Sequence, residues 1–510
     1  MLRIYFWKKS PEDNAVIYDG LIRHSIKCKK ITNNIIYVIE LFVIKKKGRH
    51  SMENKQKNKL NLREKIAYGM GDLGNNFMFD LGQAYLLKFY TDVLKISGAA
   101  GGCVFLISKI FDAFADTSVG TIIDSRKKVG KRGKFRPFIL FGTIPLAIAT
   151  VLSFLAPNIS YEGKIAYAYL TYMIFGLAYS FINIPYGSLA SAITQDSNER
   201  TQLASFRNGF ASVGALVTGV AVIPLVLKFS DSKMGYPVIV GLMSCFGVLC
   251  HIFCYKNTSE HVLVKNRKQK KESLSKIFKS LLSNRPLMVL NLMSLLTISA
   301  GNLKGAMVVY YCQYYFGNIK LTAILNFVNI GFSLIAIVIV PLVVKKFGRK
   351  TTYLIGCAIS IVGDVANYIL PTNLTEFMII SGIAYFGISF TNTLNWAFIS
   401  DAIEYGEWKT GERTEGIIYS TYSFFRKVAQ ALAGFIPGIV LTLVGYAPNV
   451  RQSARTLAGM KGLMFLYPTI VVGLSFFIFA FLYNLTDEKY KKILVELQIK
   501  SSSSVNLVIK

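Results

Sequence analysis

Lys109, Asp112 and Asp116, in the run KIFDAFAD, are the residues whose types and spacing most invite chemistry. On a helix, at about 100° per residue, the three fall within about 60° of one another. Two carboxylates one turn apart repel unless a proton or a cation sits between them, and Lys109 offsets only one of the charges. The run is embedded in apolar sequence, where a charge costs roughly 2.5–3.5 kcal/mol to place at mid-bilayer. A proton or cation site accounts for that cost; a structural salt-bridge cluster near the helix end is the simpler alternative. Other apolar stretches also carry polar groups. One holds Asp72, Asn75, Asn76, Asp80 and Gln83, followed by Lys88; another holds Tyr179, Ser180, Asn183 and Tyr186. Two more hold Asn392, Asn395 and Trp396, and Arg426, Lys427 and Gln430. Amides, hydroxyls and cations bind sugar hydroxyls, and an aromatic ring stacks on a sugar face. Any one of these residues taken alone suits helix packing equally well.

The elements that must position them are long and apolar. The chain has 510 residues, 52% of them hydrophobic, and a mean hydropathy of +0.42. That excludes a disordered basic tail and an ordinary soluble domain. A span needs about 20 apolar residues. Twelve such segments fall at 73–93, 98–123, 137–156, 164–193, 205–227, 236–255, 286–315, 321–344, 351–371, 374–400, 414–445 and 462–484. The expected fold class is therefore an all-α membrane protein with twelve transmembrane helices.

Lys and Arg number 58 against 28 Asp and Glu, a net charge of +30. Twenty of the basic residues lie in three even-numbered connections: seven in 124–137, nine in 256–285 and four in 345–350. The odd-numbered connections hold about eight. Basic loops stay in the cytoplasm, so both termini are expected inside and the charge is an address rather than a nucleic-acid surface. The turns RKKVGKRGK and KKFGRK follow the second and eighth spans. Their six-span separation is a weak internal repeat, as in transporters built from two six-helix halves. The expected organisation is a half at 52–255, a cytoplasmic basic linker at 256–285, a second half at 286–490 and a cytoplasmic tail at 491–510. Residues 1–51 carry eleven basic and four acidic residues and neither a span nor a cleavable signal pattern. Translation is expected to start at Met52, with a basic arm on the inner membrane surface as the alternative.

Cys245, Cys250 and Cys254 beside His251 lie within an apolar segment and read as small fillers of a membrane helix. Gly69-Met70-Gly71-Asp72-Leu73-Gly74 matches G-x-G-x-x-G. No strand precedes it, so close helix packing explains it better than a dinucleotide. No P-loop, nucleophile–base pair or metal set is present, which argues against an ATP-driven pump and an intramembrane enzyme.

The motifs YGMGDLGNNF (68–77), FYTDV (89–93), FDAFAD (111–116), GKFRPFILFGT (133–143), NIPYGSL (183–189), ERTQLASFRN (199–208), EYGEWKTGERTEG (404–416) and RKVAQALAG (426–434) carry a resemblance. The chain resembles the glycoside–pentoside–hexuronide:cation symporters of the major facilitator superfamily. With LTDEKYKKILVEL at 485–497, it looks most like the bacterial glucuronide carriers. The resemblance implies the major facilitator fold, no enzymatic activity and no cofactor beyond a coupling H⁺ or Na⁺. It also implies a multi-pass protein of the bacterial inner membrane whose partners are a sugar or glycoside, the ion and the bilayer, with no nucleic acid.

It further implies residue roles. Asp112, Asp116, Ser180 and Lys427 match the cation-site positions. Asn76 and Asn183 stand where melibiose-type members have sugar-binding acids, and Arg207 or Asn208 stands at their arginine. Asn75, Tyr179, Asn392 and Trp396 complete the expected sugar site. Lys109, Arg132, Lys134, Arg136 and Arg349 are expected at gates, with the basic turns pairing to acids such as Glu404 and Glu407. Gly187 replaces an aromatic residue of the family. Losing two acids disfavours melibiose-like sugars and suits an anionic hexuronide, with Arg207, Lys427 and Lys109 as carboxylate partners. Ala115 replaces a side-chain oxygen of sodium-using members; a hard cation wants several oxygens, which tilts the coupling ion toward H⁺. A neutral glycoside or pentoside such as a xyloside, and a membrane sensor that no longer transports, stay open.

Overall fold

The computed structural model describes residues 60–125, 132–194, 196–261, 284–370, 373–411 and 415–508. The N-terminal segment 1–51, most of the basic turn after Asp124 and most of the linker lie outside these residues. The first half consists of α1 (Leu62–Phe89, extended by a π-helical turn Tyr90–Leu94), α2 (Gly98–Ser125), α3 (Arg136–Ser153), α4 (Tyr161–Ile193), α5 (Ser197–Val226) and α6 (Ser232–Asn257). The second half opens with α7 (Arg285–Tyr310, then a π turn Tyr311–Tyr315). A continuous helical stretch, Leu321–Ile369, breaks at Gly348 (φ 78°, ψ 167°) into α8 (residues 321–347) and α9 (residues 349–369). It ends with α10 (Leu374–Thr410), α11 (Glu415–Leu443) and α12 (Ala454–Lys461, a π turn Gly462–Leu466, and Tyr467–Leu482). The tail forms α13 (Asp487–Val508).

Ten described helices are long and apolar enough to cross a membrane, the broken stretch counting as one. Its division at Gly348 and the addition of α1 give the twelve spans expected. The first helix is less apolar than the others because Asp72, Asn75, Asn76, Asp80, Gln83 and Lys88 interrupt it. Its Asp72, Asn75 and Lys88 are all buried in protein rather than facing lipid. It also begins eleven residues before the expected start at 73, because polar residues outside the bilayer continue the helix.

Helix starts follow side-chain chemistry. Ser160 accepts from Gly163 N, Asn284 from Leu287 N and Ser453 from Thr456 N. Asn373 and Glu376 form a reciprocal capping box at the start of α10. Each cap satisfies amide groups that have no intrahelical partner.

Apolar side chains of α1–α6 form one core, and those of α7–α12 form two. Small residues set the closest helix contacts. On α1, a Cβ at Gly71 would fall 2.5 Å from the Tyr186 ring, and one at Gly74 would fall 2.8 Å from Gly247 O. The G-x-G-x-x-G run is thus a packing surface. Between the halves, α2 and α11 meet through Gly98, Gly102, Gly434 and Gly438. A Cβ at Gly438 would stand 2.3 Å from Gly98 O and 2.9 Å from Gly102 N. This is the small-xxx-small packing of membrane helices. Gly438→Val should therefore force α2 and α11 apart and lower the melting temperature of the purified protein, an overpacking cost of about 1–3 kcal/mol. An unchanged melting temperature would show that the seam tolerates bulk.

Candidate cation and sugar site

Residues on α2, α4 and α11 build a charged cluster. Asp112 and Lys109 are each about 4% exposed, and Lys109 Nζ lies 3.2 Å from Asp112 Oδ2. The ammonium sits over the rings of Phe79 and Tyr172, at 5.3 and 5.4 Å from their centroids, which disperses charge where water is scarce. Room for the Asp112 carboxylate comes from Gly176 on α4, where a Cβ would fall 1.9 Å from Oδ1. That oxygen is buried and has no hydrogen-bond partner. One turn further along α2, Asp116 accepts a 2.5 Å hydrogen bond from Ser180 Oγ and forms an ion pair with Lys427 of α11. Lys427 also donates to the Asp112 backbone oxygen at 3.1 Å. The structure thus brings Asp112, Asp116, Ser180 and Lys427 together, and each acid has its own lysine.

A second group lies beside it. Arg207 Nε of α5 is 3.3 Å from Asp72 Oδ1 of α1, and its guanidinium sits 5.2 Å from the Tyr186 ring centroid. Tyr186 stacks on Tyr68 at 4.8 Å and donates to the Tyr68 carbonyl. Tyr179 of α4 stacks on Phe79 at 4.7 Å. From the second half, Trp396 of α10 packs at 6.1 and 5.8 Å from the rings of Tyr419 and Tyr422 of α11. Tyr419 is within electrostatic reach of Arg207, and Tyr179 is within reach of Asp72, Asp80, Arg207 and Arg426. These residues of both halves outline a candidate substrate chamber.

The expected sugar residues divide. Arg207, Tyr179 and Trp396 join the chamber. Asn76 donates to the Asp72 backbone oxygen at 2.7 Å, on the same stretch of α1. Asn183 is half-buried on α4, and Asn208 and Asn392 are exposed on α5 and α10. Asn75 turns away: it is buried against α6, its Oδ1 3.2 Å from His251 Nε2, while His251 Nδ1 meets Thr143 at 2.8 Å. Adjacent helical residues point about 100° apart, so Asn75 and Asn76 cannot share a face. The site also includes Asp72, Arg426 and Tyr419. The first two stood out in sequence as polar residues in spans; nothing distinguishes Tyr419 without its neighbours.

Among the described residues, the basic turns meet Glu260, Asp487 and Asp401. Gly133 (φ +87°) and the residues after it wrap the Glu260 carboxylate, which accepts from the amides of Lys134, Phe135 and Arg136 at 2.7, 2.8 and 3.0 Å. Arg136 in turn donates to Tyr255 O at the end of α6. Lys134 is buried and Arg132 exposed. The second half repeats the device. Gly348 (φ +78°) lies against the Asp487 carboxylate, which accepts from Arg349 N at 3.1 Å. Lys350 Nζ caps Ala480 and Tyr483 carbonyls at the end of α12. The Arg349 side chain pairs with Asp401, one turn before Glu404. Glu404 lies near Tyr490 of α13, and Glu407 sits in the last turn of α10.

At the opposite face, Asp92 ties α1 to the second half. It pairs with Lys88 and accepts from Tyr446 OH at 2.5 Å and Tyr314 OH at 3.1 Å. Thr91 Oγ1 meets Tyr310 OH at 2.9 Å, and Lys88 lies over the Tyr310 and Tyr314 rings.

A multi-pass helical fold in two halves, with polar groups of both meeting between the spans, is the architecture of a secondary transporter. The chain belongs to the MFS/sugar transport protein family, whose profile matches residues 67–487; it is a transporter and not an enzyme. It is 50% identical to the symporter YjmB of Bacillus subtilis, itself uncharacterized, over 87% of this chain and 96% of that one. It is 44% identical to a candidate sulfoquinovose importer of Escherichia coli, over 88% of this chain and 96% of that one. It is 36% identical to the glucuronide carrier protein homolog of Escherichia coli, over 88% and 98%. The fold is like that of a bacterial homolog of the lysosomal transporter Spinster, in its inward-facing and unoccupied conformation (TM-score 0.62, 11% identity, 85% of this chain and 97% of that one).

Gly176→Ala tests the cluster, because its methyl group must displace the Asp112 carboxylate. Concentrative uptake by membrane vesicles should fall about tenfold or more, with the protein still inserted. Uptake at the original rate would mean that Asp112 need not sit against α4.

Proposed function

We propose that the protein is a cation-coupled symporter carrying an acidic glycoside, a glucuronide or related hexuronide, across the bacterial inner membrane by alternating access. The observation that carries this reading is the Asp116–Lys427 pair, which joins the halves within the membrane. A proton arriving at Asp116 neutralises it and frees Lys427, so loading the ion and loosening the halves become one event. Ion binding then raises sugar affinity, and the sugar raises ion affinity by the same factor. A proton is favoured over Na⁺ because a hard cation wants several oxygens. Here lysines hold both carboxylates, and Ala115 adds no side-chain oxygen.

The acidic substrate is supported by Asn76 and Asn183 at positions where other members carry acids, and by Arg207 and Arg426 in or beside the chamber. Two relatives are named for acidic sugars. With the basic turns inside by the positive-inside rule, both termini are cytoplasmic and the Asp92–Tyr446 cluster closes the outer end.

Membrane vesicles offered a glucuronide, a xyloside and a galactoside, with pH and Na⁺ gradients imposed separately, test the proposal. The glucuronide should accumulate under an inward proton gradient. Asp116→Asn should abolish accumulation while leaving insertion intact. Competition by neutral glycosides alone would refute the hexuronide assignment; full concentrative uptake by Asp116→Asn would refute the ion site.

A further inference from the structure

The cations first expected to bind a substrate carboxylate are already engaged. Lys109 holds Asp112, Lys427 holds Asp116, and Arg207 holds Asp72. Arg426 is not: its Nε is buried without a hydrogen-bond partner, and no carboxylate among the described residues lies within ion-pair distance of it. It stands in the middle of α11 beside Lys427, but about 100° around the helix from it. That rotation separates their tasks. Lys427 turns toward α2, whereas Arg426 shares a face of about 60° with Tyr419 and Tyr422, the two rings against Trp396.

Tyr179 of α4 lies within electrostatic reach of both Arg426 and Asp80. Asp80 also has a buried oxygen, Oδ2, without a partner, yet forms no described ion pair with Arg426. An uncommitted guanidinium, an acid that can accept from hydroxyls and an aromatic wall match three features of one ligand. These are a planar or tetrahedral oxyanion, hydroxyl groups and a sugar face.

We propose that Arg426 is the anion anchor of the substrate site, and that it selects sugars bearing a carboxylate or sulfonate over their neutral counterparts. This rests on the transporter reading above and deepens its substrate class. A guanidinium fork presents two parallel N–H donors to such a group, which an ammonium cannot reproduce. Arg207 is less suited, because Asp72 at its Nε repels a second anion. Arg426 is half-buried with its Nε enclosed and unpaired, and an anionic ligand would supply the partner that this nitrogen lacks.

The test is the ratio of acidic to neutral affinity, measured calorimetrically on purified protein. The probes are methyl glucuronide, the corresponding 6-sulfonated glycoside and methyl glucoside. The wild type should favour at least one acid. Arg426→Gln should lower that acid-to-neutral ratio by about ten- to a hundredfold, and Arg426→Lys, which keeps the charge without the fork, should fall between the two. Whichever anion is the more sensitive identifies the substrate group. An acid preference that survives Arg426→Gln overturns this assignment while leaving the hexuronide reading intact. A wild type without acid preference overturns both. Should Arg426→Gln fail to fold, an Arg426→Lys ratio equal to that of the wild type counts against the fork.

Discussion

The account depends on the ion pair between Asp116 of α2 and Lys427 of α11. Both partners are half-buried, so the pair's net contribution to stability is modest. In the proposed mechanism the pair works as a switch more than as a source of stability. Around it, α2 and α11 approach through Gly98, Gly102, Gly434 and Gly438, so the same two helices supply both the tightest inter-half seam and the charge contact. Ser180 and Gly176, one turn apart on α4, hold one acid and make room for the other. Any ion that competes for Asp116 acts on the contact between halves.

The duplicated architecture is most evident at the basic face. In each half an acid just beyond the sixth helix, Glu260 or Asp487, accepts from backbone amides that follow a left-handed glycine, Gly133 or Gly348. In each half a basic residue of the third helix, Arg136 or Lys350, caps carbonyls at the end of the sixth. Glycine is required there twice over: the backbone is left-handed, and a Cβ would collide with the carboxylate at 2.4 or 2.3 Å. Each half is thereby closed into a unit, first helix layer to last, and two such units can rock as bodies about the mid-membrane contacts.

Much of this was legible in sequence because spans are long and spacing on a helix is periodic. The twelve spans and the acids of FDAFAD follow from local pattern, and the association of those acids with Ser180 and Lys427 was implied by the family resemblance alone. What was not legible depends on contacts between distant segments. The repeated turns were visible, but not that Glu260 and Asp487 cap them, since both acids follow the sixth helices rather than lie in the acid-rich EYGEWKTGE run. The partner of Arg349 came out as Asp401, one turn from Glu404, a shift that hydropathy cannot register. Asn75 and Asn76 are equivalent in composition, and only the packing of α6 through His251 separates them. Arg426 is one more polar residue in sequence, and only the pairing of Lys109, Lys427 and Arg207 with acids sets it apart.

The most direct measurement is the number of protons taken up per sugar bound, from calorimetric titration of the purified protein in buffers of different ionisation enthalpy. If sugar binding requires a proton to replace Lys427 at Asp116, about one proton should be taken up per sugar, and Asp116→Asn should take up none. Sugar binding without proton uptake, or with uptake unchanged in Asp116→Asn, would contradict the account.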